Sequence, residues 1–191
     1  MSSLRESRRR RTEQTIRNAA VDLAYEHGLD NVTTEMISDA ANISPRTFFN
    51  YFAFKEAAFL PPAASLSGEA VDIFIASKDN LIADLVSLFL AQLSEIDFDR
   101  EHFIKNHEIS LKNPKLLALK LSVFDGFEEE MTTILTKRFG NNHQNVDVKH
   151  VAALIMVSVR VGLESWVTSG ATLSENVSQR LSALEHIFED L

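Results

Sequence analysis

An all-α fold is what this sequence predicts, with a small N-terminal three-helix unit followed by a larger helical unit. Three observations carry that expectation. The 191 residues include only four prolines and six glycines, while 45% are hydrophobic, a composition that suits helices packed around a core. Apolar residues recur at helical spacing along most of the chain. Each proline stands at the start of such a segment or at a break between two of them. The best internal boundary is 61–68, PPAASLSG, so the units are read as 1–60 and 61–191.

The totals narrow the function classes. There are no cysteines, which excludes disulfides and thiolate metal sites. The arginine run Arg8 to Arg11 is followed by Thr-Glu-Gln rather than an apolar stretch, so it does not read as a signal peptide. The longest apolar run, Val151 to Leu163, is short and broken by Arg160, so no membrane span and no membrane partner is expected. A cytoplasmic protein follows from that reading. The net charge of −8 argues at first against nucleic acid, but its distribution reverses the argument. Residues 1–17 hold six arginines against two acids, a balance of +4, while 61–191 hold 11 basic and 19 acidic residues, a balance of −8. A basic tip supplies affinity for phosphates of any sequence, and an acidic body discourages non-specific adhesion.

Taken in order, Met1 to Arg11 reads as a mobile basic arm suited to the phosphates or the minor groove. Thr12 to His27 reads as the first helix, its inner face marked by Ile16, Ala19, Ala20, Leu23 and Ala24, and Gly28 as its stop. Leu29 and Val32 bridge to a second helix, about Thr34 to Ala41, with Thr33 as N-cap and Glu35 in the first turn. Asn42 supplies a left-handed turn. Ser44 then caps a third helix, Pro45 to Phe52, whose first position suits proline. At about 100° per residue, Phe48 and Phe52 fall together on one side, and Arg46, Thr47, Asn50 and Tyr51 on the other. A guanidinium, an amide, a hydroxyl and a phenol on one outward face match the donors and acceptors of a major groove. The arrangement is a helix-turn-helix with a recognition helix.

Lys55-Glu56 opens a fourth helix, and Pro61-Pro62 predicts its break after Phe59. Helices are expected over Ala70–Ser77, Asn80–Ile96, Arg100–Ser110, Pro114–Phe139, Val146–Ser169 and Ser174–Leu191, the last capped by Ser174. Gly140 and Gly170 stop two of them, and NNHQN is a loop.

The pattern T-x-x-x-I-x-x-A-A-x-I-S-x-x-T-F-F-x-Y-F-x-x-K-E, over roughly Thr12 to Leu60, resembles the DNA-binding domain of the TetR family of bacterial transcriptional regulators. Beyond Leu60 the likeness lies in helix pattern and length. The resemblance implies an N-terminal helix-turn-helix DNA-binding domain and a larger C-terminal ligand-binding and dimerisation domain. It implies a regulator, a repressor by the habit of the family, that binds a palindromic double-stranded DNA operator as a homodimer and is released by a small-molecule effector. An alternative keeps the fold but has the protein act through a protein partner or as an activator. Carried over position by position, Thr33, Thr34, Ser44, Thr47, Tyr51 and Lys55 match backbone contacts, and Pro45, Arg46, Phe49 and Asn50 match base-reading positions. Arg46 suits guanine and Asn50 adenine. Many relatives have glycine where Arg46 stands and tyrosine where Phe49 stands. In the family the fourth helix transmits ligand binding, which the Pro61-Pro62 break interrupts.

The resemblance also implies an effector pocket, for which Phe74, Leu85, Phe89, Phe103, His107, Phe124 and Glu128 are the candidates; the phenylalanines point to an apolar or aromatic effector. The last two helices are the expected dimer surface, through Val151, Ile155, Val159, Gly162, Trp166, Leu181, Leu184 and Phe188. Gly162 would allow close approach, and Trp166 would serve as an anchor. No enzyme and no cofactor is expected. His102 and His107 are five residues apart rather than four, H-E-x-x-H is absent, and no glycine-rich phosphate loop appears, so neither a metal site nor a nucleophile is suggested.

Overall fold

A computed structural model describes residues 4–61, 66, 68–94, 99–140 and 146–186. Among these residues the elements are helical throughout. They are α1 (Leu4–His27), α2 (Thr34–Ala40), α3 (Pro45–Tyr51), α4 (Glu69–Ala76), α5 (Leu81–Ser94), α6 (Arg100–Lys112), α7 (Pro114–Phe139), α8 (Val148–Thr168) and α9 (Leu173–His186), with single 3-10 turns at Leu29–Asn31 and Lys55–Phe59. The chain divides into two compact units, Met1–Pro62 with Asp99–Leu121, and Ala63–Phe98 with Ser122–Leu191.

In the first unit α1 begins at Leu4, two turns earlier than the sequence reading placed it. The segment expected to be a mobile arm is therefore helical from Leu4 onward. Leu, Arg and Glu are all good helix formers and nothing in LRESRRRR breaks a helix. Thr12, which looked like a start, instead donates its hydroxyl to the Arg8 carbonyl (3.1 Å). The core of this unit joins Ile16, Ala20 and Ala24 of α1 to Ile37, Phe48, Phe52 and Phe59, with Leu29 and Val32 bridging as expected. The lysine-led segment forms a 3-10 turn, not a helix, and Leu60 after it is extended. The break thus falls after Phe59, ahead of the two prolines.

The first unit also takes in α6 and the start of α7, through Ile109 and Leu116 of its core. Asp22 of α1 accepts from Lys105 (2.8 Å) and meets Nε2 of His102 (3.1 Å). Asp99, whose side chain caps α6, lies 3.1 Å from Nδ1 of His102, a contact of charge rather than an aligned hydrogen bond. Burial pulls the His102 pKa down, but the two carboxylates outweigh it and the net shift is upward. Two residues of α6, His102 and Lys105, are thereby tied to one aspartate of α1.

In the second unit α8 lies along α9, α9 along α5, and α5 along α4. A Cβ on Gly162 would stand 2.8 Å from the Cα of Val177, so the backbones of α8 and α9 approach closely at that point. Arg138 is buried, and donates to the carbonyls of Phe74 (2.7 Å) and Asp79 (3.2 Å) and to the carboxylate of Asp84 (2.5 Å). Its guanidinium also lies over the Phe74 ring, 4.4 Å from the centroid. It fixes the end of α4 and the start of α5 together. The cap of α9 is Thr172 and not Ser174: the Thr172 hydroxyl accepts from the Glu175 amide (3.2 Å) while Glu175 accepts from the Thr172 amide (2.7 Å), a reciprocal capping box. Among the described residues α8 is long and apolar enough to cross a membrane by length and composition, which the shorter run read from sequence was not. Its buried residues, Ala152, Ile155, Met156, Val159, Gly162 and Trp166, form a single side.

Candidate nucleic-acid interface

The reading helix is set by local chemistry. Thr33 caps α2 by accepting from the Met36 amide (3.3 Å), and Ser44 caps α3 by accepting from the Thr47 amide (3.0 Å). Asn42 takes a left-handed φ of 55° between the two helices, a conformation that asparagine tolerates better than most residues. Pro45 fills the first position of α3, where its missing N–H leaves no bond unmade.

Phenylalanines then orient the helix. Phe48 is fully buried and Phe52 nearly so, their ring centroids 5.5 Å apart, and Arg17 covers Phe52 at 4.9 Å. With that side fixed inward, Ser44, Pro45, Arg46, Phe49 and Asn50 are exposed, and Thr47 and Tyr51 are half-buried at the flanks. Phe49 shows 54% of its surface, its ring edge-on to Phe48. Arg46 and Asn50 have no polar partner among the described residues. A donor-rich side chain exposed and unpaired beside an exposed aromatic ring is equipped for a base edge and a thymine methyl.

The flanking residues differ more from expectation. Ser44 and Thr47 share a hydrogen bond between their hydroxyls (2.8 Å), so the one that accepts keeps its hydrogen for a phosphate oxygen. Thr34 is half-buried and its hydroxyl donates to Glu35 (3.3 Å). Lys55, expected on a phosphate, donates to the carbonyls of Leu29 (2.7 Å) and Val32 (2.9 Å). It ties the turn before α2 to the turn after α3. Sequence reasoning missed Arg9, which lies over the ring of Tyr51 at 5.6 Å and links the start of α1 to the end of the reading helix. It also missed Arg17, which holds Glu13 (2.9 Å), the Ala58 carbonyl (3.2 Å) and the Leu60 carbonyl. The cation-rich composition of α1 was visible, but no local pattern says which arginine turns inward.

The effector candidates divide between the two units. Phe103 and His107 belong to the first unit and are half-buried; Phe74, Leu85, Phe89, Phe124 and Glu128 belong to the second. Phe74, Leu85 and Phe89 are core side chains, 5% exposed or less. A cleft of about 320 Å³ in the first unit, between Tyr25, the Gly28–Asn31 turn and Lys112, is lined by none of the seven. Of the expected dimer residues, Ile155, Val159, Gly162, Trp166 and Leu181 are buried within the unit, Val151 and Leu184 are half-buried, and Phe188 lies outside the described residues. The close approach at Gly162 is made to Val177 of the same chain.

Residues 16–60 match the family model described as bacterial regulatory proteins, tetR family. The chain is 28% identical over 166 residues to MftR of Mycobacterium tuberculosis, named for transcriptional regulation of mycofactocin biosynthesis, covering 84% of this chain and 82% of MftR. It is 26% identical over 199 residues to the HTH-type transcriptional regulator TcmR of Streptomyces glaucescens, covering 98% and 88%. In fold it is similar to Thermus thermophilus FadR, a TetR family transcriptional repressor in complex with lauroyl-CoA, at a TM-score of 0.54 and 21% identity over 91% of this chain and 93% of FadR. The capped helix pair, its inward phenylalanines, its outward polar face and these likenesses agree: residues 16–60 match the tetR-family domain of bacterial regulatory proteins, and the chain is similar over most of its length to transcriptional regulators.

Proposed function

We propose that the protein is a ligand-released repressor that binds a palindromic operator as a homodimer in the cytoplasm. The outward side of α3 carries this reading, because Arg46, Phe49 and Asn50 are exposed and held away from the core by Phe48 and Phe52. Arg46 reads guanine, Asn50 adenine and Phe49 a thymine methyl; Ser44, Thr47 and Tyr51 contact phosphates. Lys55 acts through the turns it joins.

A second copy is supported by the side of α8 opposite its buried residues. Leu154, Val157 and Val161 share that side by helical spacing, and Val157 is 48% exposed. An apolar stripe of this kind on a long helix is suited to a twofold partner. The proposed contact therefore uses these residues rather than those turned onto α9. An effector is supported by analogy with FadR, a repressor of similar fold that holds lauroyl-CoA.

The test is selection of bound duplexes from random DNA by the purified full chain. Enrichment of an inverted repeat with half-sites about 10–10.5 base pairs apart, or a multiple of that spacing, is the expected result. A pool with no enriched sequence, or with isolated half-sites only, would overturn the reading.

A further inference from the structure

Among the described residues, Lys120 is a half-buried lysine without a counter-ion. From α7 its ammonium donates to Oδ1 of Asn106 (3.0 Å) and to the Asn106 carbonyl (3.3 Å). Among the described residues no carboxylate pairs with it and its third N–H has no acceptor. Burial pushes its pKa down to about 8. Its neighbours in the same unit show the contrast: Lys115 pairs with Glu56 (3.1 Å), and Lys105 with both Asp22 and Glu101 (2.8 Å each). An ammonium withdrawn from water and given only neutral oxygens is a place where an arriving anion is favoured.

Asn106 passes the contact on. Its Nδ2 donates to the Phe59 carbonyl (2.9 Å), at the end of the turn that follows the reading helix. The carbonyls on either side, Ala58 and Leu60, are held by Arg17. Three successive carbonyls at the exit of the helix-turn-helix are thus fixed by side chains. The middle one depends on an amide whose oxygen is occupied by Lys120. On the same two helices, Phe103 stands one turn before Asn106 on α6 and is half-buried, and Leu116 one turn before Lys120 on α7 is fully buried.

We propose that Lys120 is the recognition group for an anionic headgroup, a carboxylate or a phosphate on an otherwise apolar molecule, and that pairing with it draws the ammonium off Asn106 and loosens the hold of α6 on Phe59. The proposal rests on the ligand-responsive reading above and names the charge of the ligand. A lysine that only braces Asn106 has no preference among small molecules, which separates the two roles.

The experiment is calorimetric titration of the full chain with octanoate, octyl phosphate and octanol, repeated with Lys120→Met and Lys120→Arg. At pH 7 at least one of the anions binds about tenfold or more tightly than octanol, and which of them does identifies the headgroup. Above pH 8 the wild-type affinity for the anion falls, approaching about tenfold per pH unit, because binding then requires proton uptake. Lys120→Arg stays charged throughout and flattens that profile; Lys120→Met abolishes the preference for anions. Equal affinity for all three probes, no binding of either anion, or an anion preference that survives Lys120→Met would overturn the proposal. Release of a selected duplex by octanol, with no dependence on Lys120, would overturn it while leaving the regulator reading intact. Failure of the wild type to select any duplex would instead strike the regulator reading, and the pH profile of octanoate binding would still decide the role of Lys120.

Discussion

Two helix pairs, α2 with α3 and α8 with α9, use the same device and leave opposite surfaces behind. Both are amphipathic helices whose apolar sides meet. In the first pair the outward side is polar and unpaired, with Arg46 and Asn50 lacking any partner among the described residues. In the second, the residues that looked available from sequence are consumed: Gly162 touches Val177, and Trp166 and Ile155 are buried. What α8 leaves outside is a different apolar stripe, through Leu154, Val157 and Val161. Periodicity therefore finds a buried side. It does not say whether a neighbour in the chain or a second molecule buries it.

The largest expected effect sharpens the contrast between an arginine that builds the fold and one that reads DNA. Arg138→Met leaves two carbonyls and Asp84 without their donor inside the second unit. It should destabilise that unit by about 3–5 kcal/mol, followed in urea through the fluorescence of Trp166. A loss below about 1 kcal/mol, the range of an exposed pair, would mean that water replaces the guanidinium. Gly162→Ala comes next. Its methyl group meets Val177 backbone at 2.8 Å, and overpacking of this kind costs about 1–3 kcal/mol. A neutral result would show that α9 moves aside, and that the seam is looser than the distance implies.

Smaller effects probe the first pair. Ser44→Ala removes the cap of α3 and should cost about 1 kcal/mol, visible as faster amide exchange at Thr47 and Phe48; unchanged exchange would place the stability of α3 in the phenylalanines alone. Smallest is the effect of His102. Its folded pKa is raised, so its contribution is complete below the ordinary histidine value of 6.5 and is lost as pH rises through the higher folded value. Relative to His102→Gln, the wild-type urea midpoint should therefore drop between pH 6 and pH 7.5, below the range in which Lys120 titrates, by the equivalent of less than about 1 kcal/mol, given solvent screening. A midpoint that rises over this range in the wild type but not in the variant would reverse the sign assigned here.

What was legible in the sequence was local. Caps at Thr33 and Ser44, the left-handed Asn42, proline at the start of α3 and the glycine stops each act within a few residues of themselves. The errors were local competitions decided differently. Thr12 and Ser174 looked like helix starts, but nothing before Thr12 stops α1, and Thr172 forms the better cap for α9. The remainder depends on residues far apart in the chain. Asp22 with His102, Asn106 with Phe59, and Arg138 with Phe74 are pairings that no spacing rule announces. Among the effector candidates, an aromatic at helical spacing looks the same in a core as in a pocket. Phe74 and Phe89 proved to be core.

The central claim is that the outward side of α3 reads bases. Its most direct test is the affinity of wild type and Arg46→Ala for a selected operator and for each single-base change within it. The account predicts that Arg46→Ala loses about 1–3 kcal/mol and becomes indifferent to one base pair per half-site, while its preferences elsewhere are kept. A uniform loss across the whole set, with every base preference intact, would contradict it.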